Sequence, residues 1–490
     1  MTDVQPSAQP WEIDTSAASV RRLNSRAEQA LSWLPLLAAA VLVGLKGSRP
    51  LSDPDAWWHL RAGEYVLHHF RLTSPEPWVP FATHTWIMHE WLSQAIAWSV
   101  WNLFGDPGLI LLRTGTVLLV LLALWTSCRD VADRLPAGIA VVLATSALLP
   151  FMTERPQLAT FALTSVAIMA WRRSRQDQRL RWWLIPLTWI WACLHGLWIV
   201  SPLIGGIAVL GMAADRTVPR TNVLKLRLLV LATFFIGGLT PIGIRLLAVP
   251  LEVRAQSTAF ISEWAPPSAH MPSFLLVLAL VAICVVAALR VGRVAPWSLV
   301  LDLVLVFGFA LAYERTVALA TLVAAPLAAA ALQQLRGAPA AIKAPRDAVV
   351  PGAIAAVTLA VVAATLPFTH DFERGVPLRL TNALHEVPRG TVIFNAYELG
   401  GWLLWTQRQV VPVVDGRNDL YPVSYLQSYA TALAVAPGWR TALTRTQAQT
   451  ALLPANSPLA LALQSQLGWV PHGDDEGYVL LIAPGRVLGP

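Results

Sequence analysis

The sequence predicts an α-helical polytopic membrane protein with a C-terminal α/β domain. Three observations predict it. The 490-residue chain is 55% hydrophobic and 13% charged, with a mean hydropathy of +0.54, too apolar for a water-solvated surface. Apolar runs of roughly 16–22 residues recur, each able to cross a bilayer as a helix. Basic residues cluster in alternate connections, as the positive-inside rule requires.

The elements follow in order. Residues 1–29 are polar and carry Arg21, Arg22 and Arg26. They hold no short apolar core with a small-residue cleavage site, so they read as a cytoplasmic tail and not a cleaved signal peptide. Eleven spans follow, at about 30–46, 108–127, 135–151, 157–171, 182–196, 197–213, 228–248, 273–290, 296–313, 316–334 and 349–367. Only His195 and Gly196 mark the boundary between the fifth and the sixth. With the N-terminus inside, the cytoplasmic loops hold Arg129 and Arg134, then Arg172, Arg173 and Arg175, then Arg216 and Lys225, then Arg290 and Arg293, then Arg336, Lys343 and Arg346. The outer loops hold fewer basic residues, among them Arg155, Arg254 and Arg315. The expected setting is the plasma (inner) membrane, with residues 30–367 as its transmembrane domain. The formal charge of +7 is explained by these loops without a nucleic-acid partner. Cys128, Cys193 and Cys284 lie in or beside apolar spans without metal-ligand spacing, so no disulfide framework is expected.

Two outer segments are large. The first is the loop 47–107, whose Trp-rich stretch 89–104 (HEWLSQAIAWSVWNLF) has the pattern of an interfacial helix. The second is the extracytoplasmic domain 368–490. Its β-like runs at 391–394, 410–414 and 478–482 alternate with helical stretches near 397–406, 422–435 and 457–467, the pattern of a small α/β domain.

Threaded this way, Asp53, Asp55, His59, Glu90, Glu154, Glu263, Glu314 and Arg315 all fall on the outer side. Costly ionisable residues gathered on one face of a bundle point to a site at the outer interface. Asp53-Pro54-Asp55 opens the first loop, followed by Trp57, Trp58 and His59. A carboxylate there can act as general base or metal ligand, or the motif can be a solvated turn. Glu154-Arg155 in the second outer loop is either a site carboxylate or a capping pair. Glu263 lies in a Ser-Glu-Trp-Ala-Pro-Pro segment that is either site or interfacial loop. Arg315 begins an Ala/Leu-rich span, either as a site cation or as half of a Glu314–Arg315 pair. Asp415 and Arg417, in Asp-Gly-Arg-Asn-Asp, either contact an acceptor or form a buried turn. His195 reads as structural.

The run Asp55 to Leu67, DAWWHLRAGEYVL, resembles the DPWFNYRATKYL-type stretch of the oligosaccharyltransferase catalytic subunit, a GT-C membrane glycosyltransferase. ISEWAPPS resembles that family's SxxEHQPT-type segment, with Trp264 in place of its His. The chain is similar as well to uncharacterised bacterial GT-C-like membrane proteins that share the DPDxWWH and HEWLS stretches. The resemblance implies a GT-C-like fold and transfer of a sugar, with inversion, from a polyprenyl-phosphate-linked donor to an extracytoplasmic acceptor. It implies Asp55, Asp53 and Glu263 as catalytic residues and Arg315 on the donor phosphate. It implies Asp55, Glu154 and Glu263 as ligands of a divalent cation (Mg²⁺ or Mn²⁺); it does not extend to the outer domain, and His59, Asp415 and Arg417 are candidate acceptor contacts on their own residues alone. The family's WWDYG motif is absent, so a peptide acceptor is not carried over. A secondary transporter with an intramembrane path, or a non-catalytic scaffold on the same fold, are the alternatives.

Overall fold

Backbone amides cannot be left unpaired in hydrocarbon, so apolar spans must close their hydrogen bonds internally. The computed structural model describes residues 26–249, 262–292, 294–337, 346–369 and 372–486. Arg21, Arg22, Arg254, Ile261, Arg293 and Lys343, which figure in the expectations above, lie outside the described residues.

Among the described residues, eight helices are long and apolar enough to cross a membrane: Gln29–Gly47, Trp91–Arg129, Arg134–Phe151, Gly196–Ala214, Arg220–Leu239, Pro272–Val291, Glu314–Leu335 and Arg346–Phe368. The apolar helices Leu184–Leu194 and Trp297–Ala312 are shorter, and Gln157–Asp177 is more polar, with Arg172, Arg173 and Arg175 near its end. Each expected span overlaps one of these helices, the span 228–248 only in part, because its helix ends at Leu239. The protein is a polytopic helical membrane protein with a C-terminal sheet domain.

The chain divides into two units. The first comprises Met1–Arg49, Ile110–Leu247 and Ile261–Phe368. Its most enclosed element is Val317–Leu335, whose alanines are nearly all buried. Small residues let helices approach closely in a membrane. At Gly211 a Cβ would sit 2.8 Å from the Cα of Ser298 on a neighbouring helix. Residues expected on the cytoplasmic face find one another. Asp347 accepts from both Arg129 (3.0 Å) and Arg134 (2.7 Å), Arg175 pairs with Asp302 and Arg173 with Asp130.

The second unit comprises Pro50–Leu109, Ala248–Phe260 and Thr369–Pro490. It joins the first outer loop to the C-terminal domain, two segments that the sequence presents as separate. A short antiparallel ladder, β1 (Thr73–Ser74) with β2 (Trp86–Ile87), lies in the loop. The C-terminal sheet holds β3 (Val392–Asn395), β4 (Val411–Pro412), β5 (Thr450–Pro454), β6 (Val470–Asp475) and β7 (Tyr478–Ile482), in the order β4-β3-β5-β7-β6. The pairs β3–β4 and β3–β5 are parallel, while β5–β7 and β6–β7 are antiparallel. One core unites Val66, Val79, Trp86 and Met88 of the loop with Phe394, Val413, Tyr421 and Leu481 of the domain. The helix Pro458–Leu467 shows local causation: Ser457 caps it by accepting from the amide of Ala460, Pro458 starts it, and Gly468 at φ 68° ends it.

Candidate functional site

In the second unit the site is built on the helix Asp55–His69. Asp53, almost wholly buried, accepts the backbone N–H of Asp55 (3.0 Å), an Asx-type turn that leads into the helix. Residues three and four apart share a helix face, so Asp55, Trp58 and His59 stand together. The Trp58 indole donates to Asp55 Oδ1 (2.9 Å). The Trp58 and His59 rings lie 3.7 Å apart between centroids. The side-chain amide of Gln94 is 3.2 Å from His59 Nδ1, and Glu90 Oε2 lies 3.8 Å from Nε2. With Gln94 donating to Nδ1, the ring proton sits on Nε2 and faces the Glu90 carboxylate.

Two glycine-bearing runs of the C-terminal domain close over this helix start. A Cβ at Gly401 would meet the carbonyl of Pro54 at 2.7 Å and the amide of Trp58 at 3.3 Å. A Cβ at Gly416 would fall onto Asp55 Oδ1 and 2.8 Å from the Trp58 indole nitrogen. Only glycine admits so close a backbone approach.

Asp415 and Arg417 flank that glycine and take the form of the buried turn. Arg417, 2% exposed, donates to both Asp415 oxygens (2.9 and 2.8 Å) and to Glu76 (2.8 and 3.1 Å). Its guanidinium lies 4.8 Å from the ring centroids of both Trp78 and Trp86. Tyr421 adds a hydrogen bond to Asp415 (2.8 Å). Burial alone would raise Asp415 and lower Arg417. Their mutual charges win, holding the carboxyl below its ordinary range and the guanidinium above its own. These side chains are committed to one another and fix the loop that carries Gly416.

In the first unit, three widely separated motifs meet. Arg113 pairs with Glu154 and donates to the carbonyls of Gly47 (2.7 Å) and Arg49. Next in sequence, Arg155 Nη1 reaches both oxygens of Glu263 (3.1 and 3.2 Å). Next to Glu263, the Trp264 ring carries the Arg315 guanidinium 4.9 Å from its centroid, and Tyr313 packs edge-on against the same indole. The amide of Glu314 binds the carbonyl of Ala265 (2.9 Å), tying the two loops together. Glu154, Glu263 and Arg315 thus lie in one connected chain of contacts. His195 is buried and accepts from Thr160 (2.9 Å) and the amide of Leu197, a structural arrangement.

Sequence reasoning missed Arg113 and Glu76. Arg113 had a readable signal, a single arginine inside an apolar run. Glu76 had none, because its partner Arg417 is 341 residues away.

Neither Glu154 nor Glu263 is open to a divalent cation as arranged. Glu154 and Glu263 each face a guanidinium, and among the described residues no group of three or more Asp, Glu, His or Cys side chains is placed to hold one.

No protein-family model matches the chain, and no curated protein does. Solved structures do. The archaeal oligosaccharyltransferase AglB from Archaeoglobus fulgidus, in complex with an inhibitory peptide and a dolichol-phosphate, superimposes with a TM-score of 0.56 at 13% identity, covering 94% of this chain and 75% of that one. ArnT from Cupriavidus metallidurans gives 0.52 in the apo state and 0.51 bound to undecaprenyl phosphate, each at 14% identity over 95% of this chain and 100% of that one. Both are GT-C glycosyltransferases, and the fold of this chain is a distant GT-C fold.

Proposed function

We propose that the protein is an inverting membrane glycosyltransferase that moves a sugar from a polyprenyl-phosphate-linked donor to an extracytoplasmic acceptor. The observation that carries this reading is the contact chain Glu154–Arg155–Glu263–Trp264–Arg315, assembled from three loops on a GT-C fold. Such donors have a hydrocarbon tail, so the enzyme's cations must stand at the end of a helical bundle, where the phosphate lies. The proposed setting is the plasma (inner) membrane, with the N-terminus inside and residues 368–490 outside.

In this reading the acceptor hydroxyl attacks the anomeric carbon of the donor and its proton passes to Asp55. The bond from that carbon to the phosphate oxygen breaks, and the electron pair leaves with the polyprenyl phosphate. Arg315, over the Trp264 ring, binds the departing phosphate, where a guanidinium offers paired donors and permanent charge. Glu263 orients Arg155 beside it. The His59–Glu90 pair and the Gly416 loop keep Trp58, and through it Asp55, in place. Asp53 acts by fixing the turn that leads into the helix carrying Asp55. A divalent cation, implied by the resemblance, would require Glu154 or Glu263 to exchange its arginine for the ion, and no step above passes through one.

The test is transfer by purified protein in nanodiscs, from a polyprenyl-phosphate sugar identified by mass spectrometry of co-purifying lipid. Asp55→Asn should lower turnover by about 10²–10⁴-fold, the usual worth of a general base. Arg315→Ala should lower turnover and weaken donor binding. Turnover near wild type in Asp55→Asn ends the assignment of Asp55. Substrate flux in vesicles without any transfer would make the protein a transporter.

A further inference from the structure

The far end of the helix Asp55–His69 borders a second feature that the proposed reaction does not use. A cleft of about 500 Å³ is lined by Arg61, Glu64, Tyr65, His68, His69 and Trp78, with Pro77 completing the wall. Its walls are mostly ring faces. Tyr65 and His69 are stacked at 4.2 Å with an interplanar angle of 19°, and Trp78 stands edge-on to Tyr65 at 5.9 Å. Its charged groups are paired with one another. Arg61 donates to Glu64 (2.7 Å) and lies over the Trp78 ring (5.3 Å), and Arg408 binds the same carboxylate (3.0 Å) while remaining half-exposed. Two guanidiniums share one carboxylate, which leaves a net positive charge at the cleft. Both histidines donate Nδ1–H to backbone carbonyls, His68 to Glu64 and His69 to Tyr65. The outer nitrogen of each ring is thereby directed away from its own helix backbone.

Preformed apolar ring faces with a few fixed polar groups are the makings of a small-ligand site. Flat rings accept the C–H face of a pyranose. The fixed guanidinium–carboxylate fork matches vicinal hydroxyls, and the surplus positive charge favours a carboxylate on the sugar. We propose that this cleft binds an acidic saccharide, as the distal part of the acceptor glycan. As a statement about the acceptor it rests on the glycosyltransferase reading. Tyr65 and His69 lie about 15–20 Å along the helix from Asp55, a span covered by an oligosaccharide and not by a single sugar. The acceptor would then be a polyanionic glycan chain, gripped by a remote segment while its end is extended.

The test reads binding without turnover. The full chain carrying Asp55→Asn, in nanodiscs, is titrated with tetragalacturonate, with neutral cellotetraose and with dihexanoylphosphatidylglycerol, and contacts are read by saturation-transfer NMR. Tetragalacturonate should bind at least fivefold more tightly than cellotetraose, and His69→Ala should weaken it at least fivefold. Trp78→Ala should do the same, but Trp78 also packs on Arg417. His69→Ala, at an exposed helix end, is therefore the variant that preserves the fold. No tetragalacturonate signal at millimolar concentration, or affinity unchanged in His69→Ala, overturns the proposal. Preferential saturation by the phospholipid overturns it as well and assigns the cleft to a lipid headgroup. A chain that binds the tetramer yet transfers no sugar in its wild-type form keeps the cleft and loses the enzyme reading, so the two failures are distinguishable.

Discussion

Gly416 and Asp55 are separated by 361 positions in sequence, yet a side chain on the first would overlap the carboxylate of the second. The C-terminal domain therefore helps to shape the helix start that carries the proposed base. Gly416→Ala should push Asp55 and Trp58 out of register. Overpacking of this kind costs about 1–3 kcal/mol, so the variant should still fold, with a lower melting temperature. Transfer should fall at least tenfold while donor binding is retained. Equal turnover in Gly416→Ala and wild type would show that the approach is mere packing.

The buried pair Arg113–Glu154 makes a prediction about stability. Both side chains are at most 5% exposed. Removing one partner leaves an uncompensated charge in a low-dielectric setting, which typically costs about 3–5 kcal/mol. Glu154→Ala should therefore lower the melting temperature strongly. The double variant Arg113→Met with Glu154→Leu should recover much of that loss, because an apolar pair of similar volume avoids desolvation. A single variant as stable as wild type would mean that Arg113 is neutralised elsewhere.

The bundle was legible because its signals are local. Length and hydropathy mark the apolar helices, and Glu154, Glu263 and Arg315, which the sequence assigns to one face, are linked through Arg155 and Trp264. The C-terminal sheet was half legible. β3, β4 and β7 show as apolar runs, but β5 is buried along nearly its whole length and lacks alternation. β6 is an exposed edge strand with Pro471, a register shift and two acidic residues, devices that blunt an edge and also hide it from pattern reading. The joining of the first loop to the C-terminal domain was not legible, since it depends on long-range pairs such as Arg417–Glu76 that leave no spacing in the sequence.

The arginine partners of Glu154 and Glu263 lead to a prediction about metal. Each carboxylate already faces a permanent positive charge, so a divalent ion would have to displace a guanidinium. Exhaustive treatment with EDTA should leave transfer within about twofold of the untreated rate, since no step gains from Lewis-acid stabilisation. A loss that Mg²⁺ or Mn²⁺ restores would show that the loops rearrange to exchange arginine for metal.

Glu373 gives the pH dependence. Leu51 holds its backbone on both sides, accepting from Arg374 (2.8 Å) and donating to Phe372 (2.7 Å). Burial, and then the nearby Asp106 carboxylate, raise Glu373 to about 7 from an ordinary 4.5. The Trp402 indole N–H pulls the other way, but it stands short of hydrogen-bond geometry, and Oε2 is buried with no donor. The folded state therefore favours the protonated carboxyl. Between about pH 4.5 and pH 7 the folded chain binds more protons than the unfolded one, so stability falls as pH rises through that window and is level above it. With allowance for partial exposure the loss is on the order of 1–2 kcal/mol. Glu373→Gln, neutral at every pH, should melt with the wild type near pH 4.5 and above it at pH 8. Melting curves recorded at both values check this. A wild-type melting temperature that climbs from pH 5 to pH 7 while Glu373→Gln stays flat would reverse the sign and show that the carboxylate is stabilised in the fold.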